Sequence, residues 1–137
     1  MKLCKQMKFY NTLREIKKTS VVNPDISICI RVKNESVFIE DFLKSLALQD
    51  SIHKIEVIIV DSGSTDDTLT ILMQYDVSIY EISPLEFSFG DSCNLIINLS
   101  SADIIYMFSG HVQLIDFNLI SKSYYYLVVP AKPLQPA

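Results

Sequence analysis

The segment Ile55-Glu56-Val57-Ile58-Ile59-Val60 is apolar at every position but one and rich in β-branched side chains. Branched side chains suit a pleated surface, so the segment reads as a strand. Because the apolar character does not alternate, the strand must be covered on both faces, as in a parallel sheet. Such a sheet needs a crossover helix between successive strands.

The flanking sequence supplies those parts. Ile26-Ser27-Ile28-Cys29-Ile30-Arg31-Val32 is a second strand, preceded by the break at Asn23-Pro24. Phe38, Phe42 and Leu46 then recur every four residues, beside Ile39 and Leu43, which makes one helical stripe with Asn34 as the expected N-cap. After the first-quoted strand, Asp61-Ser62-Gly63 turns the chain, and Ser64-Thr65-Asp66-Asp67 fits a capping pattern ahead of Leu69, Leu72 and Met73. A short strand is expected over 77–82, ended by Pro84. A third helix carries Cys93, Ile96 and Ile97, capped by Asp91 or Ser92. A last strand over 103–108 should bury Ile104, Ile105, Tyr106 and Met107. Strands alternating with helices of this length predict βαβ units: an α/β, Rossmann-like, mostly parallel sheet with flanking helices.

Three regions follow. Residues 1–23 form a basic arm or helix, because residues 1–20 hold Lys2, Lys5, Lys8, Arg14, Lys17 and Lys18 against Glu15 alone. Residues 24–116 form the α/β domain, and 117–137 a tail in which Tyr124-Tyr125-Tyr126-Leu127-Val128-Val129 could be a strand. The net charge of −4 argues against a nucleic-acid partner, since phosphate neutralisation needs a basic face. Three scattered cysteines give no zinc or disulfide spacing and fit a reducing compartment. No apolar stretch approaches the roughly 20 residues of a membrane span. The expected location is cytoplasmic, with the basic arm able to touch anionic lipid at the inner membrane face.

In open α/β sheets, ligands bind beyond the carboxyl ends of the strands. Asp61 stands at such an end, just before Gly63, which lets backbone approach a ligand closely. Its carboxylate can accept from a ribose hydroxyl or a base N–H. It can equally cap the turn, the commoner use of this residue type.

The stretch Ile58-Ile59-Val60-Asp61-Ser62-Gly63-Ser64-Thr65-Asp66-Asp67-Thr68 resembles the second-strand motif of the family 2 inverting glycosyltransferases of GT-A fold. Ile28-Cys29-Ile30-Arg31-Val32-Lys33-Asn34-Glu35 resembles their first-strand motif, and Phe87-Ser88-Phe89-Gly90-Asp91-Ser92-Cys93-Asn94 a segment of rhamnosyltransferase-like members. Residues 103–114 resemble the strand that delivers the acidic metal motif. The four motifs stand in family order. The resemblance implies a UDP- or dTDP-sugar donor, with Asp61, Ser62 and Gly63 at the nucleoside. Arg31, Asn34 and Glu35 would lie near base and ribose, and Asp91 and Asn94 near the diphosphate and donor sugar. It also implies a divalent cation, Mn²⁺ or Mg²⁺, and a glycan or lipid-linked acceptor.

Two departures stand out. Where the family carries Asp-x-Asp, this chain reads Ser109-Gly110-His111, so His111 becomes the candidate metal ligand. After it the only acidic residue is Asp116, whereas an inverting transfer needs a base for the acceptor hydroxyl. The expectation is a chain truncated before its acceptor half, which acts as an incomplete enzyme or as a non-catalytic remnant. A missing acceptor wall would leave apolar surface, so self-association is expected.

Overall fold

The computed structural model describes residues 10–128. Its elements in chain order are β1 (Arg14–Lys17), β2 (Ile26–Val32), α1 (Ile39–Ala47), β3 (Ile55–Asp61), α2 (Thr68–Leu72) and β4 (Ser78–Glu81). A 3₁₀ turn (Pro84–Glu86), α3 (Phe89–Leu99), β5 (Ile104–Ser109) and α4 (Leu119–Val128) follow. The strands form one sheet in the order β1-β4-β3-β2-β5, parallel except for β1, which runs antiparallel to β4. The four parallel strands thus lie in the order third, second, first, fourth. That is half of a doubly wound sheet, and its switch point lies between β2 and β5.

Strand alternation divides the core in two. Ile26, Ile28, Ile30, Val57, Ile59 and Ile79 face α1 and meet Phe42, Leu43 and Leu72. Cys29, Ile58, Val60 and Ile82 face the other way, onto Leu95 and Ile96 of α3. Burying each such aliphatic side chain contributes about 1.5–3 kcal/mol. Glu56, near the start of the central strand, is buried as well. It accepts from the Ser27 hydroxyl and, at 2.6 Å, from the Ser101 N–H, so it bolts β3 to β2 and to the loop before β5. A buried carboxylate needs such donors.

Several sequence expectations are corrected. The basic stretch was expected as an arm or helix, yet residues 14–17 form the edge strand β1. Arg14 pairs with Glu81 across the strands, and the Lys17 ammonium donates to the carbonyls of Met73 and Tyr75. Cross-strand charge pairs and carbonyl acceptors make a strand of a sequence with no apolar alternation. Residues 1–9, with Lys2, Cys4, Lys5 and Lys8, lie outside the described residues.

Asn34 does not cap α1. It adopts φ 52°, a left-handed conformation that asparagine tolerates, and α1 begins later, after Phe38. Ser64 does not cap α2; that helix is short and starts after Asp67. Helix α3 starts before either residue expected to cap it. Ser88 is the cap, its hydroxyl oxygen accepting from the Asp91 N–H. In β5, Ile104, Ile105 and Tyr106 are only partly buried and Met107 is 43% exposed, because β5 is an edge strand.

The expected strand at residues 124–129 is the helix α4 up to Val128, with Val129 outside the described residues. Ile120 and Tyr124, one helical turn apart, pack on the α1 side of the core. Gln49 at the end of α1 donates to the Asp116 carbonyl and accepts from the Ile120 N–H. Tyr106 and Ser123 share a hydrogen bond of 2.8 Å, and the His53 ring lies 3.8 Å from that of Tyr124. Nothing in the primary structure near residue 120 announces these partners.

The two sheet edges differ. β1 carries Arg14, Glu15 and Lys17 and an irregular register, features that blunt an edge. β5 reads Ile-Ile-Tyr-Met-Phe-Ser, has no charge, and among the described residues pairs only with β2. No helix among the described residues is long and apolar enough to cross a membrane.

Candidate functional site at the carboxyl ends of the parallel strands

The loops leaving β2, β3, β4 and β5 converge on one cleft of about 340 Å³. Arg31, Lys33 and Glu35 come from the end of β2 and the loop after it, Ser62 from the loop after β3, Pro84 and Phe87 from the segment after β4, Phe89 from the start of α3, and Ser109 and His111 from the end of β5 and its turn. It opens beside the switch point, where a doubly wound sheet splits its loops to either side.

The wall formed by the β2 and β3 loops is laced together. Asn34 donates its N–H to Ser64 Oγ at 2.9 Å, and its Oδ1 accepts from the N–H groups of Thr65 at 2.7 Å and Asp66 at 3.3 Å. The Glu35 N–H donates to Thr68 Oγ1 at 2.9 Å, and the Ser36 N–H to Asp66 Oδ2 at 3.2 Å. The Thr68 hydroxyl foremost, with Ser36 and the Thr68 N–H, holds the Asp66 carboxyl down to about 2 by stabilising its charged form.

Asp61 is fully buried and is not among the residues lining the cleft. Its Oδ1 accepts from the N–H groups of Gly63 and Ser64, each at 2.8 Å, so it braces the turn. Its Oδ2 is buried and has no hydrogen-bond partner among the described residues. A buried orphan acceptor costs about 1–3 kcal/mol. Gly63 sits at φ 100° against Pro84; a Cβ there would lie 2.5 Å from Pro84 Cγ, so glycine is the residue that fits.

Of the other expected site residues, Arg31, Glu35, Ser62 and His111 line the cleft. Asn34 and Gly63 shape its wall without being among its lining residues. Asp91 and Asn94 lie on α3 and are not among them either: Asp91 accepts from the Ser88 hydroxyl at 2.7 Å, and Asn94 is exposed.

Sequence reasoning assigned no role to Phe87 and Phe89. The Arg31 guanidinium lies 4.7 Å from the centroid of Phe89 and 5.9 Å from that of Phe87, a cation–π arrangement. Arg31 Nη1 is buried without a hydrogen-bond partner among the described residues. Phe89 itself is 70% exposed. The signal was an aromatic pair just before Gly90, but only the 3₁₀ turn at Pro84–Glu86, capped by Ser83, folds it back over β2.

At the end of β5, His111 Nδ1 lies 3.5 Å from Glu35 Oε1 and 2.9 Å from Ser109 Oγ. Among the described residues no three His, Cys, Asp or Glu side chains group to hold an ion. An imidazole and a carboxylate side by side nevertheless fit a divalent cation whose remaining positions go to water and phosphate oxygens.

The architecture is shared with nucleotide-sugar enzymes. The structure of S. aureus TarS 1-349 in complex with UDP superposes with a TM-score of 0.65 at 21% identity, covering 75% of this chain and 32% of that one. Mannosyltransferase PcManGT from Pyrobaculum calidifontis, in complex with GDP-Man and Mn²⁺, gives 0.70 at 18% identity, covering 90% and 36%. Glucosyl-3-phosphoglycerate synthase from Mycobacterium tuberculosis, with Mn²⁺, UDP and glucosyl-3-phosphoglycerate, gives 0.52 at 26% identity, covering 64% and 34%. The chain spans about a third of the length of these structures. No curated protein matches it significantly. Residues 27–119, more than half of the chain, match the profile of glycosyl transferase family 2, with the second-strand motif and every residue lining the cleft inside that stretch, and the chain belongs to that family.

Proposed function

We propose that this chain forms the donor side of a glycosyl transfer, binding a UDP- or dTDP-sugar for inverting transfer to a glycan or lipid-linked acceptor in polysaccharide synthesis. The observation that carries the reading is the convergence of all four post-strand loops on one cleft that presents Arg31 and Lys33. Two cations suit a diphosphate. Asp61, Ser62 and Gly63 would receive the nucleoside: the unmet acceptor at Asp61 Oδ2 is one that a base or ribose donor would satisfy. Arg31, Asn34 and Glu35 would border base and ribose, Asp91 and Asn94 the diphosphate and donor sugar, and His111 a divalent cation. The cation would neutralise the leaving diphosphate. The reading places the protein in the cytoplasm, with the basic N-terminal stretch against the inner membrane face.

Isothermal titration with UDP and dTDP, with and without Mn²⁺, tests it. Micromolar binding that weakens at least tenfold in Arg31→Ala and in Asp61→Ala supports the donor site. No binding of either nucleotide by the folded protein rejects it.

A second reading is a non-catalytic nucleotide- or partner-binding module. The inward-turned Asp61 carboxylate favours it, since that side chain already serves the turn. Nucleotide binding without hydrolysis of any donor would select this reading. So would self-association seen by light scattering together with no turnover.

A further inference from the structure

We infer that Glu35, rather than bordering base and ribose, forms with His111 a cation site that the bound diphosphate completes, so that the carboxylate absent from the end of β5 is supplied by the loop after β2. The inference rests on the donor-site reading above and adds to it the identity of the second ligand.

The geometry is that of a pair of adjacent ligands. Two donor atoms bound to one ion at about 2.1 Å lie about 3.0–3.4 Å apart when their bonds meet at 90–110°. His111 Nδ1 and Glu35 Oε1 stand 3.5 Å apart, longer than the roughly 2.7–2.9 Å of a charge-assisted hydrogen bond. They therefore leave the space an ion takes, with only a small closing movement. Ser109 Oγ is hydrogen-bonded to the same nitrogen at 2.9 Å, a contact that a bound ion would displace.

Glu35 is held in place before any ion arrives. Its N–H is fixed by Thr68, and its carbonyl accepts from the N–H groups of Phe38 and Ile39 at the entry to α1. Its side chain is 20% exposed, against 60% for that of His111, and both residues line the cleft. A preplaced ligand loses little entropy on binding.

Gly110 is what lets the carboxylate reach. A Cβ on Gly110 would lie 3.0 Å from both Glu35 Cγ and Val32 Cγ1, tighter than ordinary contact, so a side chain there would require the Glu35 side chain to shift by a few tenths of an ångström. In Ser109-Gly110-His111 the middle residue thus admits a ligand from another loop. Glu35 and His111 line the same cleft as Arg31 and Lys33, where a diphosphate would lie. One imidazole and one carboxylate suit Mn²⁺ better than Mg²⁺, which prefers oxygen throughout.

The test is the ratio of UDP affinities with and without Mn²⁺, measured by calorimetry on the full chain, alongside Mn²⁺ electron paramagnetic resonance in the presence of UDP. The wild type should gain at least tenfold in UDP affinity from Mn²⁺ and less from Mg²⁺. Glu35→Gln should abolish the gain and the bound-Mn²⁺ signal, with its fold confirmed by circular dichroism. Gly110→Ala, which removes no ligand, should diminish both. His111→Asp should turn the preference toward Mg²⁺. A Glu35→Gln protein that keeps the full Mn²⁺ gain overturns the inference and leaves the donor site standing, as does wild-type UDP binding indifferent to Mn²⁺. Failure of the wild type to bind UDP under either condition overturns both.

Discussion

The two walls of the cleft are held in different ways. The loops after β2 and β3 exchange hydrogen bonds through Asn34, Ser64, Asp66 and Thr68, and each loop supplies both donors and acceptors. The turn after β5 has the Val112 N–H on the Ser109 carbonyl and the His111 contacts to Ser109 and Glu35. The first wall rises from two inner strands, the second from an edge. Inner strands deliver two neighbouring loops that can brace one another, whereas an edge strand has a neighbour on one side only. The wall formed by the β2 and β3 loops is thereby braced in advance, and the wall at the end of β5 carries fewer internal hydrogen bonds.

Substitutions can break this contrast. The largest loss is expected from Gly63→Ala, which combines a left-handed backbone with a collision against Pro84; it should cost about 2–4 kcal/mol in urea unfolding. Asn34→Ala removes the acceptor shared by Thr65 and Asp66 and puts alanine at φ 52°, for a loss of about 2 kcal/mol. Asn34→Gly should recover the conformational part and isolate the hydrogen bonds.

A smaller effect is expected on the acid side. The Asp66 carboxyl is held at about 2 against an ordinary 3.8, so folding favours its charged form. That contribution is complete above the unfolded value and is lost as the pH falls through about 2. Urea midpoints measured from pH 5 to pH 2 should fall less steeply in Asp66→Asn than in the wild type. Identical slopes would show that the lacing draws nothing from this charge.

The smallest effect belongs to the other wall. His111→Ala should change stability by less than about 0.5 kcal/mol, as for other exposed sites. A loss as large as that of Asn34→Ala would mean that both walls are braced alike.

Much of this arrangement was legible beforehand. Apolar runs located β2 and β3, and the four-residue spacing of Phe38, Phe42 and Leu46 located α1. Local pattern suffices where one element buries most of its own residues. It failed where a distant partner decides. The charged β1 is a strand because of Glu81 and the carbonyls at Met73 and Tyr75. Three successive tyrosines favour a strand by propensity, but Ile120 and Tyr124 must both reach the core beside α1, and only a helix presents residues four apart on one face.

The site was legible in position more than in role. Arg31, Glu35, Ser62 and His111 do line the cleft. Asn34, Ser64 and Asp66 have side chains that serve equally for capping, lacing or ligand contact, and the sequence cannot separate these uses because all three employ the same short polar groups. Phe87 and Phe89 went unassigned because their contact with Arg31 depends on a tertiary turn.

The uncharged outer rim of β5 constrains how this molecule can be enlarged. Among the described residues, charged and irregular β1 blunts one flank of the sheet, so the β5 flank is the better suited to receive a further strand. That place runs alongside Ser109 and ends near His111. Whatever extends the sheet there would therefore also become a neighbour of the cleft, which couples architecture added at this flank to the shape of the cleft's mouth.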